Sequence, residues 1–410
     1  MESPISNVAI IGGGITGPAL AIELLNVGIR STIYEARPQN YDIGGSMVLT
    51  PNALLVTSRC GVYDELCQTS WPHDNVLLMN LKGDALGSIV VGSVEKYGKS
   101  GLRMYRSTLR NTLLAEAARR GIEIVYDRKC ASVKEIPHSA TVEFEDGTSI
   151  DADMVIGADG VWSRIHPYLN ANSQPKFSGQ MAVLAMAPRN LIADPEEATM
   201  FRLLIDKQGN FAHMPANSQS GDQSALFFST FEVPDRDRDG WRKTETDTEG
   251  LKAMMQVFDQ EAWPETARTL VTKTPAKNFF SWPFHTVRLY DRWVSKTGRI
   301  VVLGDAAHAI PPSAGQGAGM SLEDASTLAI TLGQINQKGS DLASGLGRWE
   351  EHRKARIERV VERTQAKSNQ RKNTKDDAEQ AEKERRMRAA KDDDDLFWLY
   401  GYDVAAMSLE

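Results

Sequence analysis

The chain has 410 residues, a hydrophobic content of 41% and a formal net charge of −7, with a sequence pI near 5.7. This length exceeds that of a usual domain and the apolar content suffices for a large core, so we expect two domains or one elaborate domain. The acidic balance gives no reason to expect a nucleic acid or an anionic membrane surface as a partner.

The cysteines and the hydropathy of the chain argue against a metal-binding, a membrane-spanning and a secreted protein. The three cysteines, Cys60, Cys67 and Cys130, form no CxxC motif and have no metal-ligand spacing. They therefore predict reduced packing residues, no metal centre and a cytoplasmic location. No apolar run approaches the roughly 20 residues of a membrane span, and the first residues lack the basic and apolar regions of a signal peptide.

The first elements along the chain predict a βαβ unit. Residues 8–11 are a short apolar run typical of a buried strand. Residues 15–27 show the apolar spacing of a helix, and Gly28 follows where such a helix should end. Residues 31–34 then predict a second strand, so a strand, a helix and a strand follow one another within 34 residues.

The first turn of this unit has the glycine spacing of a dinucleotide-binding loop. Gly12 allows a tight turn, Gly14 lets backbone N–H groups approach a pyrophosphate, and Gly17 allows close packing of helix and strand. Glu35 lies 21 residues past Gly14, at the end of the second strand, where a carboxylate can accept both hydrogen bonds of a ribose diol. Because a helix N-terminus attracts phosphates, the unit predicts an ADP-containing dinucleotide.

Two later strands also run into polar turns. Residues 153–157 lead into an Asp-Gly motif at Asp159, and residues 299–303 lead into a Gly-Asp motif at Asp305. Beyond Gly317 the apolar positions again keep helical spacing. This glycine therefore lies at a predicted helix N-terminus, where positive partial charge collects.

The middle and the end of the chain have different compositions. Four short runs separated by turn residues predict an antiparallel sheet: residues 180–186, 199–205, 211–215 and 226–233. Residues 366–394 are dominated by charged side chains and predict a solvated helix, although binding to a partner stays open.

The glycine fingerprint, the Asp-Gly motif and the Gly-Asp motif occur in this order over nearly the whole chain. The chain thereby resembles the flavin-dependent aromatic hydroxylase superfamily, the single-component class A monooxygenases that include p-hydroxybenzoate and salicylate hydroxylases. Residues 395–403 resemble the tail of salicylate-hydroxylase-like members. The resemblance implies an α/β fold with a Rossmann-like FAD-binding domain whose parallel sheet is discontinuous, an inserted antiparallel β-sheet substrate domain, and C-terminal helices. We place the FAD-binding domain at 1–170 and 283–365, the substrate-binding sheet at 171–282, and the charged helix and tail at 366–410.

The resemblance also implies which residues hold noncovalent FAD. Asp305 is expected to bind a ribityl hydroxyl, and Arg106, before a helix, to contact the ribityl or phosphate region. Gly317 and Ala318 are expected to aim the positive end of their helix at the negative charge of reduced flavin. The loop at residues 44–48 is expected to pass the flavin, with Val48 as a backbone contact. A helix-capping role for Asp305 and an ordinary surface role for Arg106 stay open.

The sequence departs from the family pattern after Asp159. In the family this motif helps to bind both FAD and the pyrophosphate of NAD(P)H, and an arginine follows seven residues after the aspartate. Here that position is His166, and Arg164 lies two residues earlier. Affinity for NAD(P)H then depends on Arg164 or on the titratable His166, unless the second arginine is dispensable.

The resemblance implies a reaction in which NAD(P)H binds transiently and reduces FAD. O2 then forms a flavin C4a-hydroperoxide, and one oxygen atom passes to an aromatic or phenolic small molecule. The single glycine fingerprint leaves no second domain for NAD(P)H, and a monomer or homodimer is expected.

No catalytic residue is assigned. His213 and Arg202, on expected sheet strands, could orient a phenolate, but a structural or surface role suits each of them better. Two alternatives stay open, namely epoxidation, dearomatisation or other ring oxidation of a larger secondary metabolite, and a non-catalytic FAD-binding regulatory protein.

Overall fold

A computed structural model describes residues 4–41, 45–216, 223–289, 291–369, 374–390 and 396–406. The strands of these residues are β1 (Asn7–Ile11), β2 (Arg30–Tyr34), β3 (Ser46–Leu49), β4 (Trp71–His73), β5 (Asn75–Met79), β6 (Ala85–Val90), β7 (Gly101–Tyr105), β8 (Glu123–Val125), β9 (Cys130–Ile136), β10 (Ser139–Phe144), β11 (Ser149–Ala152), β12 (Met154–Gly157), β13 (Lys176–Pro188), β14 (Phe201–Asp206), β15 (Gly209–Pro215), β16 (Ser224–Glu232), β17 (Phe279–Thr286) and β18 (Ile300–Val302).

The α-helices are α1 (Thr16–Asn26), α2 (Pro51–Arg59), α3 (Tyr63–Thr69), α4 (Val94–Tyr97), α5 (Arg106–Arg119), α6 (His166–Leu169), α7 (Arg238–Thr246), α8 (Thr248–Met255), α9 (Glu265–Lys273), α10 (Asp305–His308), α11 (Gly317–Lys338), α12 (Leu342–Asn369), α13 (Asp377–Ala389) and α14 (Phe397–Tyr400). None of the helices in the described parts of the chain is long and apolar enough to cross a membrane.

Five parallel strands form a sheet in the order β18-β12-β1-β2-β8. Strand β1 is apolar and buried from Val8 to Ile11 because both faces of such a sheet are covered, and Val8 and Ile10 are fully buried. The predicted βαβ unit and the two later strands are confirmed. Ile11 pairs with Tyr34 on one side and with Gly157 on the other. The carboxyl ends of β1, β2, β12 and β18 therefore meet at one edge and bring the three motif turns together.

A seven-stranded sheet has the order β17-β13-β16-β15-β14-β5-β6. The four strands predicted in the middle of the chain are present as β13 to β16. Their pairing is antiparallel, whereas β14 and β5 pair in parallel. Strands β5 and β6 come from a stretch that the sequence analysis assigned to the FAD-binding segment, so this sheet extends beyond residues 171–282. The division into domains stays a prediction.

The two faces of this sheet have different surroundings. Because side chains alternate along a strand, Phe211 of β15 points to one face and its neighbours Ala212 and Met214 to the other. The face of Phe211 packs against the segment that carries α7, α8 and α9, with Phe258 and Trp263 in its core. We call it the back face.

The opposite face, which we call the front face, is an apolar layer that packs against Tyr105 at the end of β7. Its members are Leu184, Met186, Phe201, Leu203, Ala212, Met214, Ala216, Leu226, Phe228 and Phe280. Strand β7 belongs to a three-stranded antiparallel sheet of order β3-β7-β4, and a third small sheet has the order β11-β10-β9.

The charged segment near the C-terminus differs from the solvated helix that the sequence predicts. Helix α12 reaches Asn369, and a separate helix, α13, packs against β6 at the edge of the seven-stranded sheet. Met387 contacts the apolar cluster of β5 and β6, and Gln380 and Lys383 are buried. A helix laid beside an edge strand protects it from pairing with another chain.

Candidate functional site

The glycine loop between β1 and α1 is packed as tightly as its sequence requires. Gly12 has a φ of +117°, and a Cβ atom there would lie 2.3 Å from the carbonyl oxygen of Ala158. A Cβ at Gly17 would lie 2.0 Å from the carbonyl oxygen of Gly12. By contrast, a Cβ at Gly14 would meet nothing within 4 Å. The loop is therefore closed towards the sheet and open at Gly14, as a pyrophosphate at the start of α1 requires.

Glu35 lies beside this loop and is 9% exposed. Its Oε2 accepts a hydrogen bond of 2.6 Å from the Gly13 N–H, and its Oε1 accepts one of 2.9 Å from the Arg37 N–H. Since each carboxylate oxygen has two lone pairs, both oxygens keep capacity for ribose hydroxyls.

Arg110 supports the same loop and was missed by the sequence analysis. Its Nε donates a 2.8 Å hydrogen bond to the Gly13 carbonyl oxygen, and the side chain is buried. The available signal was its position four residues after Arg106, since residues i and i+4 share one face of a helix.

Arg106 begins α5, and its backbone N–H donates to the Gly45 carbonyl oxygen at 2.9 Å. Its guanidinium lies 5.2 Å from the ring centre of Trp282, and its Nε is buried without a hydrogen-bond partner among the described residues. Burial lowers the pKa of Arg106, whereas the charge of Asp305 acts in the opposite direction. A buried donor without an acceptor calls for an external one, and the ribityl or phosphate oxygens of FAD would meet that need.

Asp159 has a complementary unsatisfied atom. Its Oδ2 accepts a 2.7 Å hydrogen bond from the Arg164 N–H, and its Oδ1 is buried without a partner in the described part of the chain. Burial raises the pKa of this carboxyl above its usual value. Such a group fits a hydroxyl or N–H donor supplied by a bound cofactor.

The Gly-Asp motif turns sharply after β18. Gly304 has a φ of +61°, and a Cβ there would lie 2.9 Å from Thr16 Oγ1 of α1, so the turn and the first helix are in close contact. Asp305 follows at the start of α10. Gly317 begins the 22-residue helix α11, with open space where its side chain would be. The helix predicted after Gly317 is confirmed.

Val48 lies in a strand rather than in the loop that the resemblance implies. It belongs to β3, an edge strand of its sheet, and is paired with Arg103 of β7. The pairing follows from the extended, apolar run before Pro51, which then begins α2. Gly44, the first residue of the expected loop, lies outside the described residues.

The two candidates for the missing family arginine differ in their surroundings. The His166 ring is buried, with Nε2 3.1 Å from Asp291 Oδ2 and 3.4 Å from Asn170 Nδ2. It therefore interacts with side chains of its own protein. Arg164 is exposed, so it is the one of the two that a coenzyme can reach.

His213 and Arg202 lie opposite each other on β15 and β14, and their positions alternate with front-face residues, which places them on the back face. His213 Nε2 is 3.0 Å from Glu197 Oε1, and Arg202 Nη1 is 3.3 Å from Glu197 Oε2. Burial alone would raise the pKa of Glu197, but the hydrogen bond with His213 and the charge of Arg202 hold it below its ordinary value. This cluster stabilises the sheet and has no place beside a substrate at the front face.

Arg103 of β7 reaches the front face and was also missed by the sequence analysis. Its guanidinium lies 4.6 Å from the ring centre of Phe201, and Nη1 contacts the sulfur of Met214. The side chain is 2% exposed, and burial lowers its pKa to about 9. Within the described residues, no carboxylate forms an ion pair with Arg103.

A buried ionic network lies behind the Gly-Asp motif. Asp324 accepts a 3.0 Å hydrogen bond from the Gly304 N–H and a 2.7 Å bond from Arg353 Nε. Glu323 accepts bonds from Arg353 Nη1 at 2.8 Å and from Arg356 Nε at 2.6 Å. The network ties α11 and α12 to the turn that carries Asp305.

The same network holds the C-terminal segment. Arg356 donates to the carbonyl oxygens of Trp398 and Leu399 at 2.9 and 3.0 Å, and its guanidinium lies 3.7 Å from the ring centre of Tyr402. The final described elements are therefore packed against the helices that support the motif.

Comparison with known proteins agrees with a site for FAD. The FAD binding domain family matches residues 6–364. The chain is 28% identical over 401 residues to 3-amino-4-hydroxybenzoate 2-monooxygenase PtmB3 of Streptomyces platensis, covering 97% of this chain and 96% of that protein. It is 29% identical to 6-hydroxynicotinate 3-monooxygenase of Pseudomonas fluorescens, covering 88% of this chain and 90% of that protein. The crystal structure of CtdE in complex with FAD and a substrate has a TM-score of 0.80 at 22% identity and covers 97% of this chain and 96% of that one.

Proposed function

The chain belongs to the FAD binding domain family, and from this premise we propose that it uses NAD(P)H and O2 to insert one oxygen atom into an aromatic or phenolic small molecule. The protein is an FAD-dependent monooxygenase, and FAD is its cofactor. Membership of this family, together with relatives that are named monooxygenases, favours an enzyme over the regulatory binding protein that the sequence left open.

The front face is the observation that carries the proposal for the substrate. It is a layer of apolar and aromatic side chains that meets β7 just before Arg106, a proposed FAD contact. An aromatic ring is well accommodated by such a layer, since ligand sites are mostly apolar with few polar groups. The two relatives support the same class of substrate, because their names give a hydroxybenzoate and a hydroxynicotinate as the compounds that they oxidise.

We propose a contact with a particular part of FAD for each of several residues. The open loop at Gly14 would receive the pyrophosphate, and Glu35 would bind the adenosine ribose. Asp305 would bind a ribityl hydroxyl, and the unsatisfied Nε of Arg106 would donate to an oxygen of the cofactor. The further proposed contacts are Gly12, Gly17, Val48, Asp159, Gly317 and Ala318.

When bound, the flavin supplies the redox chemistry by accepting a hydride from NAD(P)H and activating O2. The chain itself contributes binding, orientation and exclusion of water. The positive end of α11 would stabilise negative charge on the reduced cofactor, and the apolar front face would keep water from the reacting atoms. Arg164, exposed beside the Asp159 motif, is the proposed contact for NAD(P)H.

The test is an oxygenation assay with isotopically heavy O2. The FAD-loaded protein is incubated with NADH or NADPH and a panel of phenols and aromatic acids, and products are analysed by mass spectrometry. We expect at least one product to carry a single heavy oxygen atom, with coenzyme consumption stimulated by that compound. Coenzyme oxidation that yields only hydrogen peroxide throughout an extensive panel would count against the proposal.

A further inference from the structure

Arg103 is a buried cation for which the described protein offers no counter-charge. Its Nε has no hydrogen-bond partner in the described residues, and the acceptors that its Nη1 meets there are the Met214 sulfur and the Ser46 hydroxyl, the latter at 3.5 Å. A thioether is a weak acceptor, and a hydroxyl at that distance is a poor one. Burial lowers its pKa.

Such an arrangement is costly unless something outside the protein compensates it. A buried charge is normally paired, and an unpaired one destabilises the folded protein. Other buried arginines of this chain have better acceptors. Arg353 binds Glu323 and Asp324, and Arg299 donates to the backbone carbonyl oxygens of Pro137 and Asp153. Arg106 is close enough to Asp305 to be influenced by its charge. Arg103 has neither a carboxylate nor a carbonyl acceptor for its guanidinium among the described residues, and it points to the face where we place the substrate.

We propose that Arg103 is a specificity-determining residue that binds a carboxylate carried by the aromatic substrate. The inference rests on the proposed function, because it places that substrate at the front face. The planar guanidinium fork matches a carboxylate in two parallel hydrogen bonds. Phe201, whose ring lies 4.6 Å from the guanidinium, would flank the site.

The geometry of β7 sets where the carboxylate would lie. Alternate residues of this strand point to opposite sides, so Arg103 and Tyr105 approach the front face while Met104 packs in the core of the parallel sheet. Arg103 is paired with Val48 and precedes Arg106 by three residues. The carboxylate would therefore be bound at one end of the layer, with the ring extending along the apolar side chains.

His73 provides a second feature that suits an anion. Its ring stacks on Phe201 with centres 5.5 Å apart, and its Nε2 is buried without a partner in the described chain. Burial and the charge of Arg103 lower the pKa of His73 to about 3. The neutral ring can donate one N–H bond to a carboxylate.

The test compares acids with their neutral amides in equilibrium binding to FAD-loaded protein without NAD(P)H. Benzoate, the hydroxybenzoates and nicotinate are titrated against the corresponding amides by calorimetry and by the flavin absorbance spectrum. We expect the wild type to prefer one or more acids over the amides. Arg103→Met should weaken binding of that acid about 100-fold and leave the amides and the FAD dissociation constant unchanged. Arg103→Lys should restore part of the loss.

A stability measurement separates recognition from a structural role. Because Arg103 has no ion-pair partner to lose among the described residues, Arg103→Met should leave the melting temperature of the ligand-free holoprotein unchanged or raise it. The matched control is Arg202→Met on the back face, which should lower the melting temperature and keep the preference for acids.

Three outcomes overturn the proposal: no preference for acids in the wild type, an unchanged preference in Arg103→Met, or loss of FAD together with a lower melting temperature in that variant. Equal weakening of the hydroxybenzamides, which carry a phenol group but no carboxylate, would assign Arg103 to a phenolate and overturn the carboxylate. Acid-selective binding that depends on Arg103, but with no oxygenated product from the same ligands, would sustain the anion site and count against oxygen insertion.

Discussion

Asp324 accepts a hydrogen bond of 3.0 Å from the backbone N–H of Gly304, and so joins helix α11 to the turn that carries Asp305. The carboxylate is completely buried and is also bound by His308 Nε2 at 2.5 Å and by Arg353 Nε at 2.7 Å. A single side chain thereby connects the ionic network between two helices to a proposed FAD contact. Its effect on stability and cofactor binding can be measured separately.

Asp324→Asn should destabilise the protein strongly. The change removes a negative charge that faces the buried Arg353 and leaves that cation partly uncompensated. Breaking a buried pair costs about 3–5 kcal/mol, and chemical denaturation would measure the loss. FAD affinity should also fall, since Gly304 and Asp305 lose their support. The control is Asp341→Asn at the exposed start of α12, where the carboxylate accepts the Ser344 N–H at 2.7 Å. Little loss is expected there, because asparagine caps a helix about as well as aspartate does, and equal losses at the two sites would contradict the assigned network.

The same aspartate predicts a loss of stability in acid. Burial alone would raise the pKa of Asp324, but His308 and Arg353 outweigh it and hold the pKa at about 2. In the unfolded chain the pKa is about 3.9, so the unfolded state binds the proton more readily. The contribution of Asp324 is therefore complete above about pH 4 and declines as the pH falls toward 2. Comparing the free energy of unfolding of wild type and Asp324→Asn between pH 6 and pH 2 checks this. The difference should shrink with acidification, and a constant difference would argue against it.

Gly14→Ala and Gly17→Ala should separate cofactor binding from folding. A Cβ at Gly14 meets nothing within 4 Å, so this variant should fold with a nearly unchanged melting temperature while its methyl group obstructs the cofactor. A Cβ at Gly17 would lie 2.0 Å from the Gly12 carbonyl oxygen, so this variant should lose both stability and FAD. Differential scanning fluorimetry and FAD titration provide the two measurements. Normal FAD affinity in Gly14→Ala would place the pyrophosphate elsewhere.

Asp305→Ala should weaken FAD binding without unfolding the protein. If the carboxylate binds a ribityl hydroxyl, its loss removes a charged hydrogen bond of about 1.5–3 kcal/mol, which corresponds to a roughly ten- to hundredfold rise in the dissociation constant. Fluorescence titration of the apoprotein with FAD measures the change. Asp259→Ala, at an exposed position of the back-face segment, serves as the control and should bind FAD normally. An unchanged constant for Asp305→Ala would favour the helix-capping alternative.

Glu35→Gln tests which dinucleotide the first βαβ unit holds. The amide keeps the shape and one acceptor oxygen but loses the charge and one of the two acceptors that now bind Gly13 and Arg37. FAD affinity should fall, whereas the Michaelis constant for NAD(P)H should stay the same in protein saturated with FAD. Glu123→Gln on β8 is a suitable control because that side chain is exposed. Intact FAD binding with a raised Michaelis constant for NAD(P)H would reverse the assignment.

The elements that the sequence predicted correctly depend on short-range patterns. The βαβ unit follows from apolar runs, helical spacing and glycines whose need is local, and Gly12 and Gly17 occupy positions where a side chain would collide with backbone. The strands before the Asp-Gly and Gly-Asp motifs are likewise apolar runs that end in turn residues. Each of these features is determined by neighbouring residues, so it can be predicted before any distant contact is known.

The sequence by itself thus determined the dinucleotide loop, the order of the motifs and the α/β class, whereas only the tertiary structure decided what individual polar residues face. His213 and Met214 are adjacent in the chain, yet one contacts Glu197 on the back face and the other contacts Arg103 on the front face. Which face is which depends on how β15 pairs with its neighbours and on β5 and β6 joining that sheet from far away. The isolation of Arg103 and the pairing of Arg353 also depend on distant carboxylates, because a charge is compensated by whatever folding brings within a few ångströms.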